Sequence, residues 1–246
     1  MRFAILSDIH ANLEAFQAVL EDLRVQSLAA PMDAVVSLGD AVGYGPDPNA
    51  VVHLLRRERI RCIQGNHEQG VLFPDKRDWF NPTTRRTLEI TLGLLTSETQ
   101  AELRTWPVVL EEETFLAVHG CPPDDPFDYL FEYEPETLPK LFAAFSRKVC
   151  FVGHTHMLHL ASWNGSAATL DEIEPGVFRL DGDRRYIVNV GSVGQPRDGT
   201  LSAKYVVWDA ERIMLDVRAV PYDSKSTIAK IEAAGFPEIN TRHLRG

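Results

Sequence analysis

A chain of 246 residues, 44% apolar and 24% charged, has the composition of a folded globular protein, with room for one large domain or two small ones. No apolar run approaches the roughly 20 residues that span a bilayer, and a formal net charge of −10 opposes broad affinity for extended nucleic acid, which rests on basic surfaces. The three cysteines (Cys62, Cys121, Cys150) form no Cys-x-x-Cys pair, and the opening Met1–Asp8 is too short and too quickly polar for a signal peptide, so a reducing, cytoplasmic setting is expected.

Residues 2–7 read as a short apolar strand, and Leu13, Phe16, Leu20 and Leu23 then recur at helical spacing. A second strand, 34–38, leads into Gly39-Asp40, and Pro48 is placed to open a helix running through Leu55. A third strand covers 60–64. These strand–helix–strand steps indicate a mainly parallel sheet. An irregular stretch around Pro74, Trp79, Phe80 and Pro82 precedes a helix over about 83–95, and the capping-box spacing of Ser97 and Gln100 starts a shorter one ending near Trp106.

Residues 108–110 and 115–119 read as paired strands, 121–126 as a loop, 135–145 as a helix and 149–152 as a buried strand. Shorter β-runs follow at 158–163, 177–180, 185–190, 203–208 and 212–219, with the turn Asp181-Gly182-Asp183 suggesting a hairpin between two of them. A helix near 225–234 precedes a polar tail that is expected to be peripheral after about 236. With no linker and no internal repeat, a single domain of two packed sheets spanning 1–246 is the simplest account.

Five short words carry the chemistry: Ser7-Asp8-Ile9-His10, Gly39-Asp40, Gly65-Asn66-His67-Glu68, Val118-His119-Gly120 and Gly153-His154-Thr155-His156. Each follows an apolar run, and so places polar groups at a strand's carboxyl end, where open α/β sheets gather ligands. Asp8 and His10, one residue apart on a strand end, face the same way. Asp8, Asp40, Asn66, His10, His119, His154 and His156 together make a mixed nitrogen and oxygen set able to hold two divalent ions, and suit Mn, Fe, Co, Ni or Zn better than Ca or Mg. Two ions sharing a bridging ligand acidify a water held between them, and the resulting hydroxide can attack phosphorus in line. His67, beside Asn66 but free to point elsewhere, suits the general acid that protonates the leaving oxygen, with a purely structural or phosphate-orienting role as the competing reading.

The words, in this order, resemble the calcineurin-like metallophosphoesterase superfamily, whose pattern is D-x-H, GD, GNH-[DE], H and GHxH. The resemblance runs from Asp8 to the segment Asn189–Gly199, and that segment together with Gly39–Pro48 looks like a bacterial and archaeal subgroup described as phosphodiesterases or diadenosine-tetraphosphatase-like. It implies an α/β/β/α sandwich, one ion held by Asp8, His10, Asp40 and His156, and a second held by Asp40, Asn66, His119 and His154. Protein Ser/Thr phosphatases carry an arginine after the GD word, as in GDxVxRG. Here Gly43 and Tyr44 stand in that region, so protein phosphatase activity is not expected.

Arg197 is a candidate for gripping a substrate phosphate through its planar fork, with an ion pair to Asp198 or a nearby carboxylate as the competing reading. Asn12 and Tyr44 are further candidate substrate contacts, and Trp79 and Phe80 could either stack a nucleobase or anchor a lid. His159 could line the pocket's rim, though a strand-surface place suits it better; His53 reads as a surface or satisfied core residue, Cys121 as a small packed side chain, and His243 carries no signal.

The expected function is hydrolysis of phosphodiester or phosphoanhydride bonds in a small, nucleotide-like substrate, with two divalent transition metals per chain and manganese as the default. The alternatives are a broad phosphomonoesterase or a metal-binding scaffold on the same fold. Specificity is expected to reside in the loops 71–82, 121–134 and 191–199.

Overall fold

The structure, a computed structural model, is described for residues 1–245. Strand β1 (Arg2–Leu6) is followed by helix α1 (Leu13–Ala29), which buries Phe16, Val19, Leu20 and Leu23 at helical spacing. Strand β2 (Ala34–Ser37), helix α2 (Pro48–Arg57) with proline in its first turn, and strand β3 (Arg61–Cys62) complete the parallel run β1, β2, β3. Helix α3 (Asn66–Leu72), a 3-10 turn at Pro74–Trp79, α4 (Pro82–Leu94) and α5 (Ser97–Leu103) come next. The side chain of Thr96, one residue before the expected cap, accepts from the backbone N–H of Thr99.

Strands β4 (Val109–Glu111) and β5 (Phe115–Val118) form the expected antiparallel pair, and β6 (Val149–Val152), after α6 (Leu138–Ala143), lies parallel to β5. Strands β7 (Leu158–Trp163), β8 (Ala168–Glu172), β9 (Gly176–Arg179), β10 (Arg185–Val190), β11 (Ala203–Asp209) and β12 (Met214–Val220) follow, then α7 (Ser224–Ala233) and α8 (Ile239–Arg242).

These strands make two six-stranded mixed sheets, ordered β3-β2-β1-β11-β12-β9 and β4-β5-β6-β10-β7-β8. Alternate residues of each central strand serve different layers. Phe3 and Ile5 of β1 meet Phe115, Val149 and Phe151 in a core between the sheets, where the rings of Phe3 and Phe115 lie 5.0 Å apart and those of Phe151 and Trp208 6.2 Å apart. Ala4 and Leu6 face the other way, against α1 and α2. On the far side, Cys150 and Val152 of β6 pack beneath Leu138, Leu141 and Phe142 of α6. The layers are therefore α/β/β/α, as expected, and burial on both faces explains why the central strands read as unbroken apolar runs.

Three local expectations are corrected. Asp181-Gly182-Asp183 does turn the chain, but β9 pairs with β12 and β10 with β6 and β7, so the turn passes between sheets and closes no hairpin. The hairpin lies earlier, where β7 pairs with the unanticipated β8 across the turn at Asn164–Ala167. The segment after 236 is not peripheral, because Asn240, Thr241 and Leu244 are buried against the fold. Among the described residues no helix is long and apolar enough to cross a membrane.

All five chemical words follow the carboxyl ends of strands, β1, β2 and β3 in one sheet and β5 and β6 in the other. Their meeting depends on the core between the sheets. Replacing Phe151, fully buried between Phe115 and Trp208, by alanine should lower unfolding stability by about 3–5 kcal/mol. Urea denaturation of the variant checks this, and a loss under about 1 kcal/mol would mean that the two sheets do not share that core.

Candidate metal centre

The first two words are zipped together by their main chains. The N–H groups of Asp8, His10 and Ala11 donate to the carbonyls of Gly39, Asp40 and Ala41 at 3.1, 2.8 and 2.8 Å. Strand β1 has already ended at Leu6, so strand alternation does not aim Asp8 and His10. Both have left-handed backbone (φ 54° and 48°), as do Asp40 (52°), His154 (68°) and His156 (62°). That conformation is costly for residues other than glycine and collects where function demands it.

Four histidines are oriented in one manner. Nδ1 of His10 donates to the Val42 carbonyl (3.1 Å), Nδ1 of His119 to Leu38 (2.8 Å), Nδ1 of His156 to Gln195 (2.6 Å), and Nε2 of His154 to Phe127 (3.0 Å). A carbonyl can only accept, so each of these nitrogens carries a ring proton, and in the neutral ring the other nitrogen turns a lone pair inward. Nε2 of His10 and Nε2 of His156 then face each other at 3.0 Å, and Nε2 of His119 faces Oδ1 of Asn66 at 3.0 Å. Lone pairs do not stabilise one another at such distances, whereas a cation between them would be ligated by both. Backbone carbonyls behind histidine ligands are the usual outer support of a metal site.

The carboxylates complete the set. Oδ2 of Asp40 lies 3.3 Å from Nε2 of His119 and 3.7 Å from Nε2 of His10, while Oδ1 of Asp8 lies 3.3 Å from Nε2 of His156. That Asp8 oxygen is buried and accepts no hydrogen bond. Asp8, His10 and His156 form one group of mutually close ligand atoms, and Asp40, His119 and His154 another. Burial alone would raise both carboxyl pKa values, but the imidazoles of His156 and His10 hold Asp8 well below the carboxylate range, and His119 and His67 do so for Asp40. Burial disfavours charge on His119 as well, yet Asp40 and Asp8 raise it to about 9, whereas burial and neighbouring charges take His154 to about 3 and His156 to about 4. The two buried carboxylates thus favour positive charge among the imidazoles, and the donors fit divalent transition metals.

Glu68 acts as a clip. Its Oε2 accepts the N–H groups of Asp40 (2.7 Å) and Gly65 (2.8 Å), and its Oε1 accepts that of Val42 (3.2 Å), the residue whose carbonyl orients His10. His67 follows Asn66 on α3 and donates its backbone N–H to Oδ1 of Asp40 at 2.8 Å. Its ring packs against Tyr44, with centroids 4.5 Å apart, and burial pushes it well below the usual histidine value, toward the neutral form. Nδ1 of His67 has no partner and lies over Gly43, where a Cβ would collide with it. His67 is also within ligand reach of His10 and Asp40.

A cavity of about 340 Å³ opens above these groups, with Tyr44, His67, Trp79, Tyr129 and Arg197 in its walls. Asn12 is corrected as a substrate contact. It is 1% exposed, its Oδ1 caps α1 at Ala15 and accepts from Thr227, and its Nδ2 donates to the Gly194 carbonyl. Tyr44 and Arg197 do line the cavity, and the reading of Arg197 as a partner of Asp198 fails, since Asp198 pairs with Lys204 at 2.8 Å. Phe80 is buried, packing on the His67 ring with centroids 5.5 Å apart at the inner wall of the cavity, whereas Trp79 is 46% exposed at the rim.

Tyr129 went unnoticed in the sequence. Its ring stacks on metal-site His154 with centroids 4.0 Å apart, and on Phe131 at 5.0 Å. Nothing in its spacing marks it, because it sits in the irregular 121–134 loop. The segment after β10 supports the site: Nδ2 of Asn189 donates to the Gly153 carbonyl and Oγ of Ser192 to the Asp8 carbonyl.

The Glu68 clip yields a prediction. In Glu68→Gln one of the two accepting oxygens becomes an amide that must face a backbone N–H, loosening the Gly39–Val42 loop. Metal affinity should drop about 10–100-fold while the fold persists. Competition with a chromophoric chelator measures this, and unchanged affinity would show that the clip does not position Asp40 or His10.

Comparison with known proteins agrees with this geometry. A family profile for the calcineurin-like phosphoesterase superfamily domain matches residues 1–212. The uncharacterized protein MJ0912 of Methanocaldococcus jannaschii is 33% identical over 240 residues, covering 96% of this chain and 93% of that protein. A crystal structure of a metallophosphoesterase from Sphaerobacter thermophilus superposes with a TM-score of 0.84 at 34% identity, covering 99% of this chain and 98% of the other. The hypothetical protein PH1004 of Pyrococcus horikoshii shares the fold, with a TM-score of 0.78 at 21% identity over 99% and 97% of the two chains. The chain therefore belongs to the calcineurin-like phosphoesterase superfamily and is a metal-dependent phosphoesterase.

Proposed function

We propose that the protein is a two-metal phosphoesterase that hydrolyses phosphodiester or phosphoanhydride bonds of a small, nucleotide-like substrate. The observation that carries this reading is the opposed pair of unprotonated nitrogens on His10 and His156, beside the unpartnered oxygen of Asp8. Asp8, His10, Asp40 and His156 would hold one ion, and Asp40, Asn66, His119 and His154 the other, with Asp40 as the bridge. Bound there, the ions would supply an activated water and neutralise charge on the phosphoryl oxygens. Manganese is the default choice for a mixed nitrogen and oxygen set without thiolate.

The remaining residues act on the substrate directly. Arg197 forms no ion pair among the described residues, and its guanidinium would bind a phosphoryl oxygen. His67, in the cavity wall but outside the proposed ligand set, would protonate the leaving oxygen. Trp79, Tyr129 and Phe131 form an aromatic wall running outward from His154, with Trp79 and Phe131 46% and 54% exposed, and such a wall suits a stacked base. The three unpaired, buried cysteines support a reducing compartment such as the cytoplasm.

A screen of the manganese-reconstituted protein against bis-nitrophenyl phosphate, nitrophenyl phosphate and a dinucleoside polyphosphate tests the bond preference. Turnover should be lost on chelation, return with manganese and favour the first or third substrate. Preference for the monoester would replace this reading with a phosphomonoesterase, and inertness toward all three would leave a scaffold. His67→Ala should keep its metals yet lose about 10²–10⁴-fold in kcat, most with an alkoxide leaving group. Equal losses with nitrophenolate and alkoxide would remove His67 as the proton donor. Asp40→Asn should bind fewer than two ions by elemental analysis, and full occupancy would exclude Asp40 as the bridge.

A further inference from the structure

The metal cavity is one half of a longer cleft. A second cavity of about 440 Å³ adjoins it, and the two share Tyr44, Asn81, Thr84 and Arg197. Trp79, Tyr129 and His154 line only the first, so the second extends from the Arg197 side, away from the aromatic wall. Its outer wall comes from the C-terminal segment through Ile239, Asn240 and His243. This wall is fixed in place, since Nδ2 of Asn240 donates to the Tyr44 carbonyl (3.1 Å) and to Oγ1 of Thr87 (3.2 Å). The histidine that carried no signal in the sequence is thus brought into the cleft that holds Arg197.

The polarity of this chamber runs against that of the chain. The protein has 35 acidic residues and a net charge of −10, yet no aspartate or glutamate lines the chamber. Its walls offer donors instead. Arg197 has no carboxylate within ion-pair distance among the described residues, its Nε is buried without a partner, and Nη2 reaches only Oε1 of Gln195 at 3.4 Å. The adjacent Asp198, which could have neutralised it, is turned toward Lys204. Asn81 uses its oxygen to cap α4 at Thr84, which leaves its amide N–H groups to donate. Burial and the charges of Arg197 and Arg242 press His243 below the usual histidine value, consistent with a locally positive field. Arg197 is half-buried, with an unpartnered Nε and no counter-charge, so an anion in the chamber would satisfy it.

We propose that this chamber is a second anion subsite, which holds a phosphoryl group of the substrate other than the one attacked. The preferred substrate would then bear two phosphoryl groups, one over the metals and one between Arg197 and His243. The inference rests on the phosphoesterase reading of the metal cavity and adds to it a substrate class.

Calorimetric titration of the full, manganese-reconstituted chain with thymidine 5′-monophosphate, 5′-diphosphate and 3′,5′-bisphosphate tests it. At least one doubly phosphorylated probe should bind about tenfold more tightly than the monophosphate, a preference of about 1.4 kcal/mol that shrinks as salt is raised. Arg197→Ala and His243→Ala should each reduce that ratio to about threefold or less. Because the ratio is taken within each variant, general damage to the site cancels. Equal binding of all three probes, or a ratio that survives both substitutions, overturns the second subsite. Turnover of bis-nitrophenyl phosphate, nitrophenyl phosphate and a dinucleoside polyphosphate is measured in parallel. A retained binding preference without turnover would support the subsite while sinking the hydrolase reading.

Discussion

The carbonyl oxygens of Leu38, Val42, Phe127 and Gln195 each take a ring N–H from a histidine, and this determines which nitrogen of His119, His10, His154 and His156 turns inward. Those carbonyls belong to separate stretches of chain: Leu38 and Val42 flank the word after β2, Phe127 lies in the loop after β5, and Gln195 in the loop after β10. No single sheet could supply them. The core between the sheets brings the two edges together, and the site exists because they meet there. The inward lone pairs and the orphaned Asp8 oxygen are unfavourable in the absence of a cation. A cation bound there would therefore add to the stability of the fold, as linkage requires.

Left-handed backbone is the second expression of the same demand. Five of the seven proposed ligands have positive φ, namely Asp8, His10, Asp40, His154 and His156. Each such residue costs on the order of 1–2 kcal/mol relative to an ordinary conformation. The loops tolerate it because their main chains are cross-bonded, Asp8–Ala11 to Gly39–Ala41, and because Glu68 and Ser192 tie them from behind. Close approach adds a further constraint at Gly153, where a Cβ would collide with the side chains of Ser7 and Asp8.

How much of this the sequence discloses depends on the range of the cause. The layers, and the helices α1, α2, α4 and α7, were legible because burial imposes periodicity on the residues themselves. The five words were legible because ligand chemistry restricts residue type, although Asp8 and His10 converge through loop conformation and not through the strand alternation their spacing suggests. Partnership was not legible. Asp181-Gly182-Asp183 is a genuine turn, but no local signal says that β9 and β10 join different sheets. Strand β8 was missed because it is an edge strand whose residues 169–172 are partly or fully exposed, leaving no apolar alternation to read. Asn12 and Tyr129 exchanged the roles that position suggested. Asn12, two residues from His10, is locked into a helix cap, while Tyr129, in a loop without pattern, stacks on His154.

Net charge is the poorest guide of all to the cleft. Of the residues lining the two adjoining cavities only Asp40 is acidic, and it is turned toward the imidazoles. Apart from Asp8 and Glu68 among and behind the candidate ligands, the acidity lies elsewhere on the molecule, where it repels other polyanions without entering the cleft. The pairing of Asp198 with the fully buried Lys204 decides the local balance: it removes the one carboxylate adjacent in sequence that could have neutralised Arg197. Were Asp198 turned inward, the cleft would hold a closed ion pair and would have little electrostatic reason to admit a phosphate. The Asp198–Lys204 pair thus separates the charges that the chain places side by side, leaving the negative one satisfied and the positive one in the wall of the cleft.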